Sequence, residues 1–151
     1  HRVFFIANNQ NYPKLKLNFN YDPIPFGEVR SEKGVEFSTD DALFIKMLSE
    51  AKTTDKKIGD IAERMTGDKS KYFTSMILQD NLVAPTITSG GTVMRFYDKL
   101  RCSDQDFTNI QSFPQDYDYC GNNVQYVTGM SVPPNMMANI AQEVYDQWLK
   151  K

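Results

Sequence analysis

The stretch RCSDQDFTNIQSFP (Arg101–Pro114), followed further on by QYVTGMSVPP (Gln125–Pro134), carries the strongest local signals in the chain. Ser103 stands where a helix N-cap belongs, and Asp106, three residues later, can reach back to it as the short form of a capping box. Phe107, Ile110 and Phe113 then share a buried stripe before Pro114 ends the turn. In the second string Gly129 frees the backbone, and Pro133 and Pro134 suit the first turn of another helix. The spacing predicts two short helices joined by a loop whose backbone can approach something closely.

These two strings, in this order and near the C-terminus, resemble the last two signature motifs of the DNA (cytosine-5) methyltransferases. The family pattern places an arginine ahead of T-x-x-E-x-x-R-L-Q-x-F-P, then a G-N-A/S-V-P-P loop and a terminal helix. Arg101, Ser103, Asp106, Gln111, Phe113 and Pro114 keep the first register; Gly129, Ser131, Val132, Pro133 and Pro134 keep the second. Asp106 stands for the usual glutamate, Asn109 for arginine, and Met130 for the asparagine at the family's cofactor pocket. A thioether packs there without the amide's hydrogen bonds.

The resemblance implies a mixed α/β fold, the C-terminal portion of a two-lobe methyltransferase. It comprises a small α+β recognition lobe, plus a strand and a terminal helix belonging to a Rossmann-like catalytic lobe. Residues 1–12 would supply that strand, 13–100 the target-recognition region, and 101–151 the final two motifs with the C-terminal helix. Arg2-Val3-Phe4 resembles the end of the family's Q-x-R-x-R-V/I motif, so the chain reads as a piece that begins inside a motif, with Arg2 supporting the target base. Met130, Ser131 and Val132 would wall the site of S-adenosylmethionine, most of which belongs to an N-terminal half. Thr86-Ile-Thr-Ser-Gly-Gly91 resembles the Thr-Leu or Thr-Ile and glycine element of target-recognition regions.

Composition bounds these expectations. With 151 residues, 40% of them hydrophobic, the chain can bury one ordinary core, or a small core plus a surface meant for a partner. A formal charge of −2 exerts no global pull on nucleic acid, so DNA contact requires a local basic patch, for which Lys46–Arg101 is the best-supplied stretch. Two cysteines, Cys102 and Cys120, and one histidine are too few for a disulfide framework or a metal site. A reducing, cytoplasmic setting fits, bacterial or phage-like in view of the resemblance. No apolar run reaches a membrane-spanning length or reads as a signal peptide.

The rest of the chain is more ordinary. Val3–Ala7 reads as a buried strand, and Asn8–Phe26 as an extended connection. Helices are predicted over Asp40–Lys52, with Leu43, Phe44, Met47 and Leu48 on one face, and over Asp55–Met65, with Ile58, Ile61, Ala62 and Met65. Short β-favouring runs follow at Tyr72–Leu78, Val83–Thr88 and Thr92–Phe96. Ser89, Gly90 and Gly91 form either a tight hairpin or, with Thr88, a loop that approaches a phosphate or base edge. Lys69 and Lys71 can neutralise phosphates, while Ser70, Tyr72, Thr74 and Ser75 can reach groove edges; Arg95, Lys99 and Arg101 would extend the patch. A terminal helix from Pro133 toward Trp148 carries Met137, Ile140, Ala141, Val144 and Trp148 as a stripe in need of a partner, for which Val3–Ala7 is the candidate.

Methylation of cytosine C5 requires a thiolate, an acidic group at N3 and a methyl-donor site, which the family takes from Pro-Cys, Glu-Asn-Val and a glycine-rich loop. None occurs here: Cys102 follows Arg101 and Cys120 follows Tyr119. The expected role is therefore target recognition on double-stranded DNA in partnership with an N-terminal catalytic half, without activity alone. A non-catalytic DNA-binding or protein-interaction module that retains the recognition lobe is the alternative.

Overall fold

Two three-residue strands, β1 (Met76–Leu78) and β2 (Val93–Arg95), pair in parallel with Met76 opposite Val93, Ile77 opposite Met94 and Leu78 opposite Arg95. The computed structural model describes residues 4–68, 72 and 75–150. Every residue of both strands is buried, which is why the runs show no alternation of apolar and polar residues. Side chains nevertheless alternate between faces. Ile77 and Met94 enter one apolar cluster with Met47 and Leu48 of α2 (Ala42–Ser49) and Ile58, Ile61 and Ala62 of α3 (Ile58–Thr66). Met76, Leu78 and Val93 enter the other, with Phe26 of α1 (Phe26–Val29), Ile87, Phe107 of α4 (Asp104–Ile110) and Val124 of α5 (Val124–Met130). The small sheet is thus a partition between two helical packings, in a mixed α/β chain.

The expected helices form with shifted ends: α2 is shorter at both, and α3 starts three residues later and ends one later. A 3-10 turn at Thr39–Asp41 leads into α2, and Gly67, in the left-handed region at φ +77, closes α3. Leu43 and Met65 fall outside the buried stripes and stay exposed. The capping box at α4 is present: Ser103 Oγ accepts from Asp106 N at 3.2 Å, and Asp106 Oδ2 accepts from Ser103 N at 2.8 Å. Phe107 and Phe113 are buried below it. The terminal helix α6 (Pro134–Val144) runs on into a π turn at Tyr145–Leu149.

Three expectations are corrected. Residues 4–7 are not a strand: they enter no ladder among the described residues, and Phe5 is 93% exposed. An apolar run becomes a strand only where a neighbour takes its backbone groups. The end of α6 is instead covered by the extended segment after it, where Tyr12 stacks on Trp148 and Trp148 Nε1 donates to Pro13 O at 2.8 Å. Val83–Thr88 also enters no ladder among the described residues, so Ser89–Gly91 is not the turn of a hairpin; Pro85 has no N–H to offer one. Finally, Gly129 lies inside α5, not in a loop.

Two ion pairs, one buried and one with a buried carboxylate and an exposed arginine, tie these pieces together. Asp106, 0% exposed, accepts from Ser31 N at 2.8 Å as well as from Ser103, and faces Arg95 Nη1 at 3.5 Å. Arg95 Nη2 meets Asp98 at 2.5 Å. Asp55, at the start of the α3 region, holds Arg64 through two contacts and also receives Lys52 N. Burial pushes the Asp55 carboxyl up, but the hydrogen bonds from Arg64 and Lys52 outweigh it and hold the group below its ordinary value of 3.8.

Two outcomes follow. Asp106→Ala leaves Arg95 buried without that carboxylate and should lower unfolding free energy by about 3–5 kcal/mol in urea denaturation. For Asp55, a depressed folded-state value means stabilisation that is complete above the unfolded value and lost as pH falls through the folded one. The difference in melting temperature between the native chain and Arg64→Met should therefore be largest near neutral pH and shrink below about pH 4; a difference that grows on acidification would contradict the pairing.

Candidate functional site

Ile87 is fully buried in the core, and the four residues after it turn outward. Thr88 Oγ1 donates to Gly90 O at 2.6 Å, and Gly91 turns the chain in the left-handed region at φ +87, where glycine is unstrained. The turn rests on α5. Gln125 Nε2 donates to Gly91 O at 2.8 Å and to Thr88 O at 3.3 Å. One helical turn further along, a Cβ placed on Gly129 would come within 2.5 Å of both Ser89 N and Thr88 C. The close approach expected of the second motif is thus made to the chain's own Thr88–Ser89 backbone. The upper side of the turn is open: Thr88, Gly90 and Gly91 are exposed, and a Cβ on Gly90 would meet nothing within 4 Å.

Arg101 lines a cleft that Gln125 also lines. Its backbone is locked to Val35 by two hydrogen bonds, 2.8 Å for Arg101 N to Val35 O and 2.9 Å for the return, while its side chain is exposed. A cleft of about 230 Å³ separates it from the helix, lined in part by Thr92, Arg101, Asp104, Asn123 and Gln125. Arg101 thus shares this cleft with Gln125, the residue that holds the turn.

Other predicted residues are placed differently. Arg95 is 1% exposed and is a core residue, not a surface cation; the carboxylates of Asp98 and Asp106 draw it inward. Ser75 is buried at the start of β1, its carbonyl accepting from Ile58 N at 3.2 Å, so it reaches no groove. Tyr72 is half-buried and packs edge-on against Phe44 at 5.1 Å. Lys99 lies 3.7 Å above the Phe96 ring, and burial holds its ammonium below the usual lysine value. Arg2, Lys69, Ser70, Lys71 and Thr74 lie outside the described residues.

Met130, Ser131 and Val132 occupy the exit of α5. Met130 is 62% exposed, Ser131 Oγ donates to Val127 O at 2.6 Å, and Val132 is half-buried. Of the two free thiols, Cys102 is buried, and that burial, with the charge of Asp106 next, pushes it far above the usual thiol range. Cys120 is exposed, in a turn where its N–H donates to Asp118. Among the described residues no cluster suits a metal ion, and no helix is long and apolar enough to cross a membrane.

Sequence reading missed Gln125 and Asn109. Asn109 Nδ2 donates to Val29 O at 2.7 Å and so fastens α4 to α1. Neither amide has a local signature, because its partner lies 34 or more residues away. Comparison with protein-family models, curated proteins and solved structures finds no match for the chain.

The Gly129 contact admits a direct check. Gly129→Ala forces a methyl group against backbone that cannot rotate away, so stability should fall by about 1–3 kcal/mol in chemical denaturation. Gly90→Ala, at the open tip, should change it by less than about 0.5 kcal/mol.

Proposed function

We propose that this chain is the C-terminal, target-recognition part of a DNA (cytosine-5) methyltransferase, which transfers a methyl group from S-adenosylmethionine to cytosine C5 in double-stranded DNA. The observation that carries this reading is the seating of the Thr88–Gly91 turn on α5. Two segments that resemble separate family elements, the recognition turn and the final motif, meet through Gly129 and Gln125. The capping of α4 by Ser103 and Asp106 gives the other motif a structural purpose as well.

In this reading the exposed turn approaches base edges, which side chains at Gly90 and Gly91 would obstruct, while Arg101 neutralises a phosphate beside it. Lys69 and Lys71 add to that electrostatic contact by their place in the sequence. The base must leave the duplex before it can be attacked, so a second lobe has to close over the DNA. Phe5, Tyr21 and Ile24, with Met136, Met137 and Leu149 of the terminal helix, are exposed apolar groups that such a lobe would cover.

Residues Met130–Val132 fit one wall of a cofactor pocket. The exposed thioether and the half-buried valine offer apolar contact, and Ser131 Oγ, its proton already given to Val127 O, retains acceptor capacity. S-adenosylmethionine supplies the methyl group when bound. In this reading neither cysteine here is the nucleophile: Cys102 is inside the core, and Cys120 follows a tyrosine in an exposed turn.

Mixing the chain with an N-terminal half that carries a Pro-Cys dipeptide and a glycine-rich loop should restore methyl transfer to duplex DNA. The chain alone should transfer none but should bind duplex in a salt-dependent way. Arg101→Ala should weaken that binding and reduce the slope of log affinity against log salt by about 1. Methyl transfer by the isolated chain, or no duplex binding at low salt, would sink the reading. Duplex binding with no rescue by any such half would favour the non-catalytic module.

A further inference from the structure

We infer that Gln125 is a positioning residue for DNA sequence preference: by holding the Thr88–Gly91 turn from beneath, it sets which base edges the exposed tip meets. This rests on the DNA-recognition reading above.

Gln125 and Gly129 are four residues apart on α5 and so share one helix face. That face is turned toward the loop at two points, the Gln125 amide under the carbonyls of Thr88 and Gly91 and the Gly129 backbone under Ser89. The loop enters no ladder among the described residues, and its own closure is the single bond from Thr88 Oγ1 to Gly90 O. Two adjacent glycines would otherwise leave this turn many conformations.

The anchors also select what faces outward. With the Thr88 and Gly91 carbonyls directed to Gln125 and the Gly90 carbonyl held by Thr88 Oγ1, three of the four carbonyls of the turn are engaged. Among the described residues, no hydrogen bond engages the Ser89 hydroxyl or the N–H groups of Gly90 and Gly91. The tip therefore offers two N–H donors and a hydroxyl that can donate, against the single Ser89 carbonyl, a balance that suits the acceptors of a major-groove edge such as guanine O6 and N7. Loss of the Gln125 amide would let the peptide planes rotate and exchange donors for acceptors at that edge. Gln125 itself lies below the turn, so its contribution is orientation, separate from the phosphate contacts that supply general affinity.

The test uses the full chain with a pool of randomised duplexes, sequencing the bound fraction for the native protein, Gln125→Leu and Gln125→Glu. Gln125→Glu keeps the length and polarity but cannot donate to the two carbonyls. In the native chain one or two positions should show about tenfold preference, falling to about twofold or less in both variants. Affinity for unselected duplex should stay within about threefold, and hydrogen exchange at the Gly90 and Gly91 amides should accelerate. An unchanged preference in both variants overturns the inference and leaves the DNA-recognition reading standing. A uniform loss of affinity and melting temperature with preference retained shows a merely structural role and overturns it too. No duplex binding by the native chain removes both.

Discussion

The structure depends on a carboxylate that water does not reach. Asp106 is fully buried, and a buried charge persists only where donors surround it. Its two oxygens accept from Ser31 N, Ser103 N and Ser103 Oγ and face the Arg95 guanidinium. One residue thereby joins the N-terminus of α4, the segment after α1 and the end of β2. Arg95 also pairs with Asp98, and Arg30 bridges Asp98 and Asp80 while lying 5.0 Å from the centre of the Tyr97 ring. The chain is a set of short elements, and a three-residue strand has too few ladder bonds to hold a register alone. Here the register of β2 is also pinned through its last side chain.

From that anchor the placing of Arg101 and of the Thr88–Gly91 turn follows. Arg95 N donates to Leu100 O, which folds the chain back after β2 and delivers Arg101 to the surface with its backbone held by Val35. Capped by the same Asp106, α4 presents Phe107 to the core and packs against α5. In turn, α5 carries the Thr88–Gly91 turn on Gln125 and Gly129. Each step passes position from a buried group to an exposed one. A disturbance at Asp106 would therefore reach the surface without touching it.

Much of this was legible locally. Ser103 and Asp106 announce a helix start by spacing alone, because a capping box involves only neighbours in sequence. The stripes of α2 and α3 are readable for the same reason, since a helix face repeats within a few residues. What failed was long-range. Arg95, in the run Thr92–Phe96, looks like one more cation, and only the arrival of Asp106 makes it a core residue. Residues 4–7 have the composition of a strand but no neighbour among the described residues to pair with. Gly129 looked like freedom for a loop; inside a helix, its missing side chain serves contact with another segment.

By itself, the sequence determined the capped start of α4 and the buried stripes of α2 and α3. Those properties depend on composition and on contacts a few residues apart. Only the tertiary structure decided that the strands are parallel, that Arg95 is internal, and that Thr88–Gly91 rests on α5. Each of these depends on which distant groups meet once water is excluded, and burial changes a group's chemistry according to that partner. The glycine in the opening motif shows the difference: sequence marks it as a place without a side chain, and the fold supplies the Thr88–Ser89 backbone that occupies the space.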